Sequence, residues 1–209
     1  MISNIPKQFL CLGGIPLIMR SISAFKEQYN DIRIVLVLPS EQIDFWEEIC
    51  KKHNFKIPHS TTAGGVTRFH SVKNGLSLIN ENDCLIAVHD AVRPLVSKDT
   101  IERVFTLAEI TGTAVPYITI NDSLRIKTSD SSIPLKRENI YIIQTPQCFQ
   151  GRILKHAYKQ NFNESFTDDA TVVENSGKMI HFVEGNTENI KITTLSDLLI
   201  AEYLLKLKP

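Results

Sequence analysis

Apolar and polar positions along this chain follow two alternating rhythms. Short, nearly continuous apolar runs of strand length give way to stretches whose apolar residues recur at helical spacing. RIVLVLP (33–39) is β-branched and almost unbroken, the pattern of a strand buried on both faces. Ser40 is then placed to cap a helix over EQIDFWEEICKKH, which carries acids early and bases late, as the helix dipole favours. CLIAVHD (84–90) predicts a second buried strand, and SKDTIERVFTLAEITG a helix that closes on Gly112. TAVPYITI, IYIIQTPQ, KMIHFVEG and NIKITT predict further strands; GRILKHAYKQ, TDDATVVENSG and LSDLLIAEYLLKLK predict helices. This alternation predicts a doubly wound α/β fold with a mainly parallel sheet. One segment breaks the rhythm: RIKTSDSSIPLKREN (125–139) is polar, rich in Ser and Asp, and flanked by β-like runs. It predicts a hairpin arm projecting from the domain.

Composition narrows the function classes. At 209 residues the chain suits a single domain with a sizeable core, and 43% hydrophobic with 22% charged residues is ordinary for a soluble protein. Lys plus Arg equals Asp plus Glu, so net charge makes no case for nucleic acid or an acidic membrane surface. The four cysteines (Cys11, Cys50, Cys84, Cys148) stand far apart, with no CxxC or Cys/His cluster, which speaks against zinc and against a disulfide framework. No signal peptide and no run of about 18 apolar residues is present, and the expected compartment is the cytoplasm.

Sheets of this type bind ligands beyond the carboxyl ends of their strands, so the polar residues there are the candidates. VHDAVRP sets Asp90 at such an edge with Arg93 three residues on. The carboxylate can hold a divalent metal and the arginine a phosphate; equally, Asp90 can cap the next turn and pair with Arg93. His89 points to the opposite face by strand alternation and is expected to serve the core or support the site. In TTAGGVTRFHSVKNGL (61–76) two glycines precede a helix, where backbone N–H groups can approach an anion. Arg68 and Ser71 there either line a base pocket or cap the helix. QTPQ ends another strand and aims the Thr145 hydroxyl at the same crevice. TDDA reads as an N-cap followed by two acids in the first helical turn, a pattern that plain capping also explains, and NIKITT sets Lys191 inside a β-branched strand, where an anion or a snorkelling stem must compensate it. GxSxG and HExxH motifs are absent. What remains is a set of cations, hydroxyls and one strand-end carboxylate, equipment for phosphoryl or nucleotidyl transfer.

Together PKQFL, GGVTRFHSVKNGL, VHDAVRP, QTPQCF, TDDATVVE and NIKITTLSDLLIAE occur in the order found in the 2-C-methyl-D-erythritol 4-phosphate cytidylyltransferase family, which the chain resembles over nearly its whole length. The resemblance implies a Rossmann-like domain of the nucleotide-diphospho-sugar transferase type, spanning residues 1–209. It also implies a β-arm at about residues 119–143 that makes a homodimer. The implied reaction joins CTP to a sugar-alcohol phosphate with Mg²⁺ or another divalent cation and releases pyrophosphate, without a covalent enzyme intermediate. Lys7 resembles the lysine that stabilises charge on the α-phosphate; Asp90 resembles the metal-associated aspartate and Arg93 a substrate-binding arginine. Gly65, Val66, Ser71 and Ala91 fall where the cytidine pocket is lined. Arg137 and Lys191 resemble the catalytic cations that position the sugar phosphate, and Ser123, Thr145 and Thr167 fall at substrate-facing hydroxyls.

The resemblance is incomplete in places. DSLR (122–125) stands where the arm usually has Asp-Thr-x-Lys, and Val92 stands where alanine is usual. The family pattern has a strand and a glycine-rich loop carrying an arginine ahead of PKQ, and MISNI does not match them; Met1 falls near that loop's methionine. A start placed too late or a trimmed chain is the expected explanation, together with an opened core and lower activity than an extended form. The rivals are a ribitol-5-phosphate cytidylyltransferase, disfavoured by TDDATVVENSG and the compact length, and a non-catalytic nucleotide- or sugar-phosphate-binding relative.

Overall fold

The computed structural model describes residues 5–207; Met1 lies outside them. A 3-10 turn, Lys7–Phe9, leads into a small hairpin of β1 (Cys11–Leu12) and β2 (Ile15–Pro16). There follow α1 (Leu17–Gln28), β3 (Val35–Leu38), α2 (Ile43–Lys52), β4 (Ser60–Ala63), α3 (Arg68–Leu76), β5 (Leu85–Val88), α4 (Lys98–Thr111) and β6 (Thr113–Thr119). The second half holds β7 (Leu124–Lys127), β8 (Ser132–Leu135), β9 (Tyr141–Ile143), β10 (Gln147–Gln150), α5 (Gly151–Ala157), α6 (Asp169–Asn175), β11 (Phe182–Glu184) and α7 (Leu195–Leu207).

The sheet is mixed. One part runs β11-β6-β10-β5, with β9 also on β6; β11 lies parallel to β6, whereas the pairs made by β10 and β9 are antiparallel. β3 and β4 form a separate parallel pair with Val35 opposite Ser60. Between β3 and β5 lies a cavity of about 750 Å³ whose walls include Ile22, Phe25, Val35, Leu76, Ile86 and Val88. Asp90, Ala91, Arg68 and Ser71 also line it. The largest buried cluster sits beneath β6 and β10 and includes Phe69, Val115, Phe149, Leu154 and Val173.

Local chemistry explains which elements form where expected. At α4, the Ser97 hydroxyl accepts from Thr100 N–H (3.1 Å), and Gly112 ends the helix at φ 90°, a conformation a Cβ would strain. The arm is the expected hairpin: β7 and β8 pair antiparallel, and Arg125 crosses to Ser132 Oγ (2.6 Å) and its carbonyl (2.8 Å).

Other elements correct the pattern. Ser40 does not cap α2; it lies in a 3-10 turn, Ser40–Gln42, and its hydroxyl meets Glu41, because Pro39 turns the chain a residue earlier. NIKITT forms no strand. Ile192 instead donates one backbone bond to Val92 O (2.9 Å) and packs with Leu12, Leu17 and Leu95, so the β-branched alternation reflects one-sided burial without a ladder. The helix α1 lacks a polar cap, since Pro16 precedes it; its buried Leu17, Ile18, Ile22 and Phe25 reveal it only in the folded chain.

Candidate active site

The site grows from the end of β5. Asp90 N–H donates to Thr145 Oγ1 (3.0 Å), and that hydroxyl meets His89 Nδ1 at 3.1 Å. His89 Nε2 meets the Arg93 carbonyl at 3.0 Å. A carbonyl only accepts, so Nε2 carries the proton and Nδ1 accepts from Thr145. Burial pushes the His89 pKa down to about 4, which keeps the ring neutral, and it stands edge-on to Phe25. The chain of bonds thus holds Asp90 in place through Thr145, a buried residue whose proton is already donated within the protein. The expected substrate-facing hydroxyl of Thr145 is turned inward to this task.

The Asp90 carboxylate is largely buried and makes two ion pairs, to Lys191 Nζ (3.1 Å) and Arg93 Nε (3.3 Å), both through Oδ2. Burial alone would raise its pKa, but Lys191 and Arg68 outweigh that, and the carboxyl titrates below its ordinary value. Arg93 also donates Nη1 to the Asn189 carbonyl (2.7 Å). Lys191 is half-exposed, so its ammonium can turn to an anionic ligand. The anion expected to compensate Lys191 is present as Asp90.

For a divalent cation, the donor set is one carboxylate. Among the described residues no group of three or more His, Cys, Asp or Glu gathers to cage a metal. Asp90 Oδ1 takes no part in either ion pair, so this oxygen fits an ion whose other ligands come from phosphates and water, the habit of Mg²⁺.

Beside this cluster, the turns after β3 and β4 enclose a pocket of about 280 Å³ lined by Leu38, Pro39, Ser40, Glu41, Gly64, Gly65 and Ser71. Gly65 N–H donates to Ser71 Oγ (3.0 Å), which donates to Thr67 O (2.9 Å). A Cβ on Gly65 would stand 2.4 Å from His70 Cβ, so only glycine lets the backbone pass here. Backbone edges and one hydroxyl suit the reading of a base by hydrogen bonds. Val66, 96% exposed, is not among these walls.

Across the site, Asp168 caps α6 in a capping box, accepting from Thr171 N–H (2.9 Å). The acid that caps is the second residue of TDDA, and it leaves the Thr167 hydroxyl exposed ahead of the helix. Lys7 is exposed on the turn whose Phe9 packs in the same cluster as Ala91. Ser123 and Arg137 stand exposed on the arm, Arg137 bonded to the Asn121 carbonyl. Sequence patterns do not single out Gln147 or Asn189, nor do they show that Asp169 is buried. Gln147 Nε2 donates to Asp168 Oδ2 (2.8 Å) while its Oε1 accepts from Ala170 N–H (2.9 Å); Asn189 Nδ2 donates to the Thr145 carbonyl (2.9 Å). The available signal was a polar side chain at an apolar position.

A family model described as 2-C-methyl-D-erythritol 4-phosphate cytidylyltransferase matches residues 1–207. A protein of that name from Bacteroides fragilis is 47% identical over 203 residues, covering 97% of this chain and 92% of the relative. One from Clostridium kluyveri is 37% identical, covering 97% and 89%. The crystal structure of the Thermus thermophilus enzyme of that name superposes with a TM-score of 0.79 at 29% identity, covering 97% of this chain and 94% of the other. With its strand-end Asp90 cluster set beside a glycine-lined pocket, and with matches this extensive, the chain belongs to the 2-C-methyl-D-erythritol 4-phosphate cytidylyltransferase family.

Proposed function

We propose that this protein joins CTP and 2-C-methyl-D-erythritol 4-phosphate to give 4-diphosphocytidyl-2-C-methyl-D-erythritol and pyrophosphate, a step of non-mevalonate isoprenoid synthesis. The observation that carries this is the Asp90–Lys191–Arg93 cluster beside the Gly64–Gly65–Ser71 pocket. A phosphate oxygen of the sugar substrate attacks the α-phosphorus, the bond to the β-phosphate breaks, and pyrophosphate departs. No enzyme nucleophile is needed, and the protein positions groups and stabilises charge.

Family membership and placement support the following roles. Gly65 and Ser71 receive the cytidine together with Ala91 of the adjoining cavity, while the exposed Val66 stands outside the pocket walls. Lys7 faces the α-phosphate, while Lys191 and Arg137 position the sugar phosphate with Arg93, Ser123 and Thr167, and Thr145 acts from behind by holding Asp90. A divalent cation such as Mg²⁺, held by Asp90, would neutralise phosphate charge as it develops. Because Arg137 and Ser123 sit on the projecting arm, we infer a homodimer in which that arm is covered. Four unpaired thiols suit a reducing, cytoplasmic setting, and among the described residues no helix is long and apolar enough to cross a membrane.

The test is pyrophosphate release from CTP with each of two sugar phosphates in competition. Methylerythritol phosphate should be consumed first. Preference for ribitol 5-phosphate would reassign the substrate, and nucleotide binding without turnover of either would reduce the protein to a binder.

A further inference from the structure

A second buried charge lies beside the site, and the proposed chemistry does not use it. Asp169, the first residue of α6, is fully buried. Its Oδ2 accepts from Arg68 Nη2 at 2.5 Å and its Oδ1 from the Tyr158 hydroxyl at 2.6 Å. A carboxylate is kept in such a place only when paired and hydrogen bonded. It is not there to start the helix, because Asp168 already caps α6. Its bonds run instead between elements: Arg68 opens α3, and Tyr158 follows α5 with its ring stacked on Phe69 at 4.8 Å.

The two partners of the ion pair belong to different elements, Arg68 to the start of α3 and Asp169 to the start of α6. Arg68 follows Thr67, the cap of α3; Ser71 of the nucleotide pocket lies in that helix's opening turn and is bonded to Gly65, two residues ahead of the cap. Asp169 follows Thr167, the exposed hydroxyl on the sugar-phosphate side, by two residues. Arg68 also lines the large cavity together with Asp90. A displacement of roughly 1 Å between the two substrates is enough to cost on the order of 10²-fold in rate.

We propose that Arg68 is a positioning residue: through Asp169 it locks the nucleotide pocket on α3 to the Thr167 segment ahead of α6, and so aligns the two substrates without binding either. What the two ends hold rests on the cytidylyl-transfer function proposed above.

The test combines kinetics of pyrophosphate release with amide NMR of the protein titrated with CTP and Mg²⁺ alone. Arg68→Lys and Asp169→Asn should each lower kcat by roughly ten- to a hundredfold, with KM for both substrates within about threefold of wild type. The double variant should be about as slow as either single one, because the pair acts as a unit. Tyr158→Phe keeps the ion pair and should keep kcat within about threefold. In the wild type, CTP should shift the amides of residues 167–171 as well as those of Gly65 and Ser71; in Arg68→Lys only the pocket amides should move. The proposal is overturned by kcat in Arg68→Lys within about twofold of wild type, or by a roughly tenfold rise in KM for CTP alone. It is equally overturned by a Tyr158→Phe loss equal to that of Arg68→Lys, or by wild-type amides at 167–171 that ignore CTP. A wild type that shows the coupled shifts yet turns over neither sugar phosphate would sink the assigned reaction and leave the lock standing.

Discussion

At the scale of single residues, the site is governed by which charge faces which. Lys191 carries the compensation for Asp90, and with Arg68 it keeps that carboxyl ionised despite burial. Lys191 is also the most exposed member of the cluster, so it can reach a phosphate as well as the carboxylate. Removing a charge-assisted hydrogen bond of this kind costs about 1.5–3 kcal/mol. Lys191→Ala is therefore expected to lower kcat/KM for the sugar phosphate roughly 10²-fold, and Lys191→Arg to restore part of it. Steady-state kinetics decide the matter, and a loss under about threefold would remove Lys191 from the substrate. Asp90, Arg93 and Gly65 were legible as strand-end or pre-helix residues, and Ser71 as a residue of the opening turn of a helix. The inward turn of Thr145 was not, because its hydroxyl is claimed by His89 and by the Asp90 amide, partners about 55 residues away in the chain.

At the scale of elements, caps separate the helices that can be read from those that cannot. α4 carries a serine at its start and a glycine at its end, and both work as local chemistry dictates. α1 begins behind a proline with no polar cap, so only its burial identifies it. At α7 the Asp197 carboxylate accepts from the N–H groups of Thr193 (2.8 Å) and Thr194 (2.7 Å), and those bonds hold its pKa below the ordinary value. The folded state thus binds this proton less readily than the unfolded chain, whose aspartates titrate near about 3.9. The contribution is complete above that pH and is lost as pH falls through the lower, folded pKa. Asp197→Ala should cost about 1 kcal/mol near neutrality, the usual worth of a helix-start cap. In urea unfolding the gap between variant and wild type should close as pH drops from about 5 toward 2; a gap independent of pH would contradict this assignment.

At the scale of the whole molecule, the arm and the divided sheet stand out. β7 and β8 expose Ile126, Ile133 and Leu135, and the neighbouring Tyr141 and Ile142 are exposed as well. A hairpin with so much apolar surface is stable in water only when something covers it. If a second copy does so, Ile133→Lys should shift sedimentation from dimer to monomer while leaving the far-ultraviolet circular dichroism unchanged. A wild type that sediments as a monomer at micromolar concentration would end the dimer assignment.

The alternation of strands and helices, the arm, the family and the set of charged groups that could serve the chemistry were all written in the order of residues. These are local or collinear properties: periodicity, caps and motif order survive without knowledge of the fold. Packing in three dimensions was needed to hold NIKITT by one-sided burial, to run β10 antiparallel to its neighbours, and to set β3 and β5 apart around a cavity. It also joined Arg68 to Asp169 across 101 positions of chain. Such pairings depend on contacts between distant segments, where packing overrides any preference the local residues express.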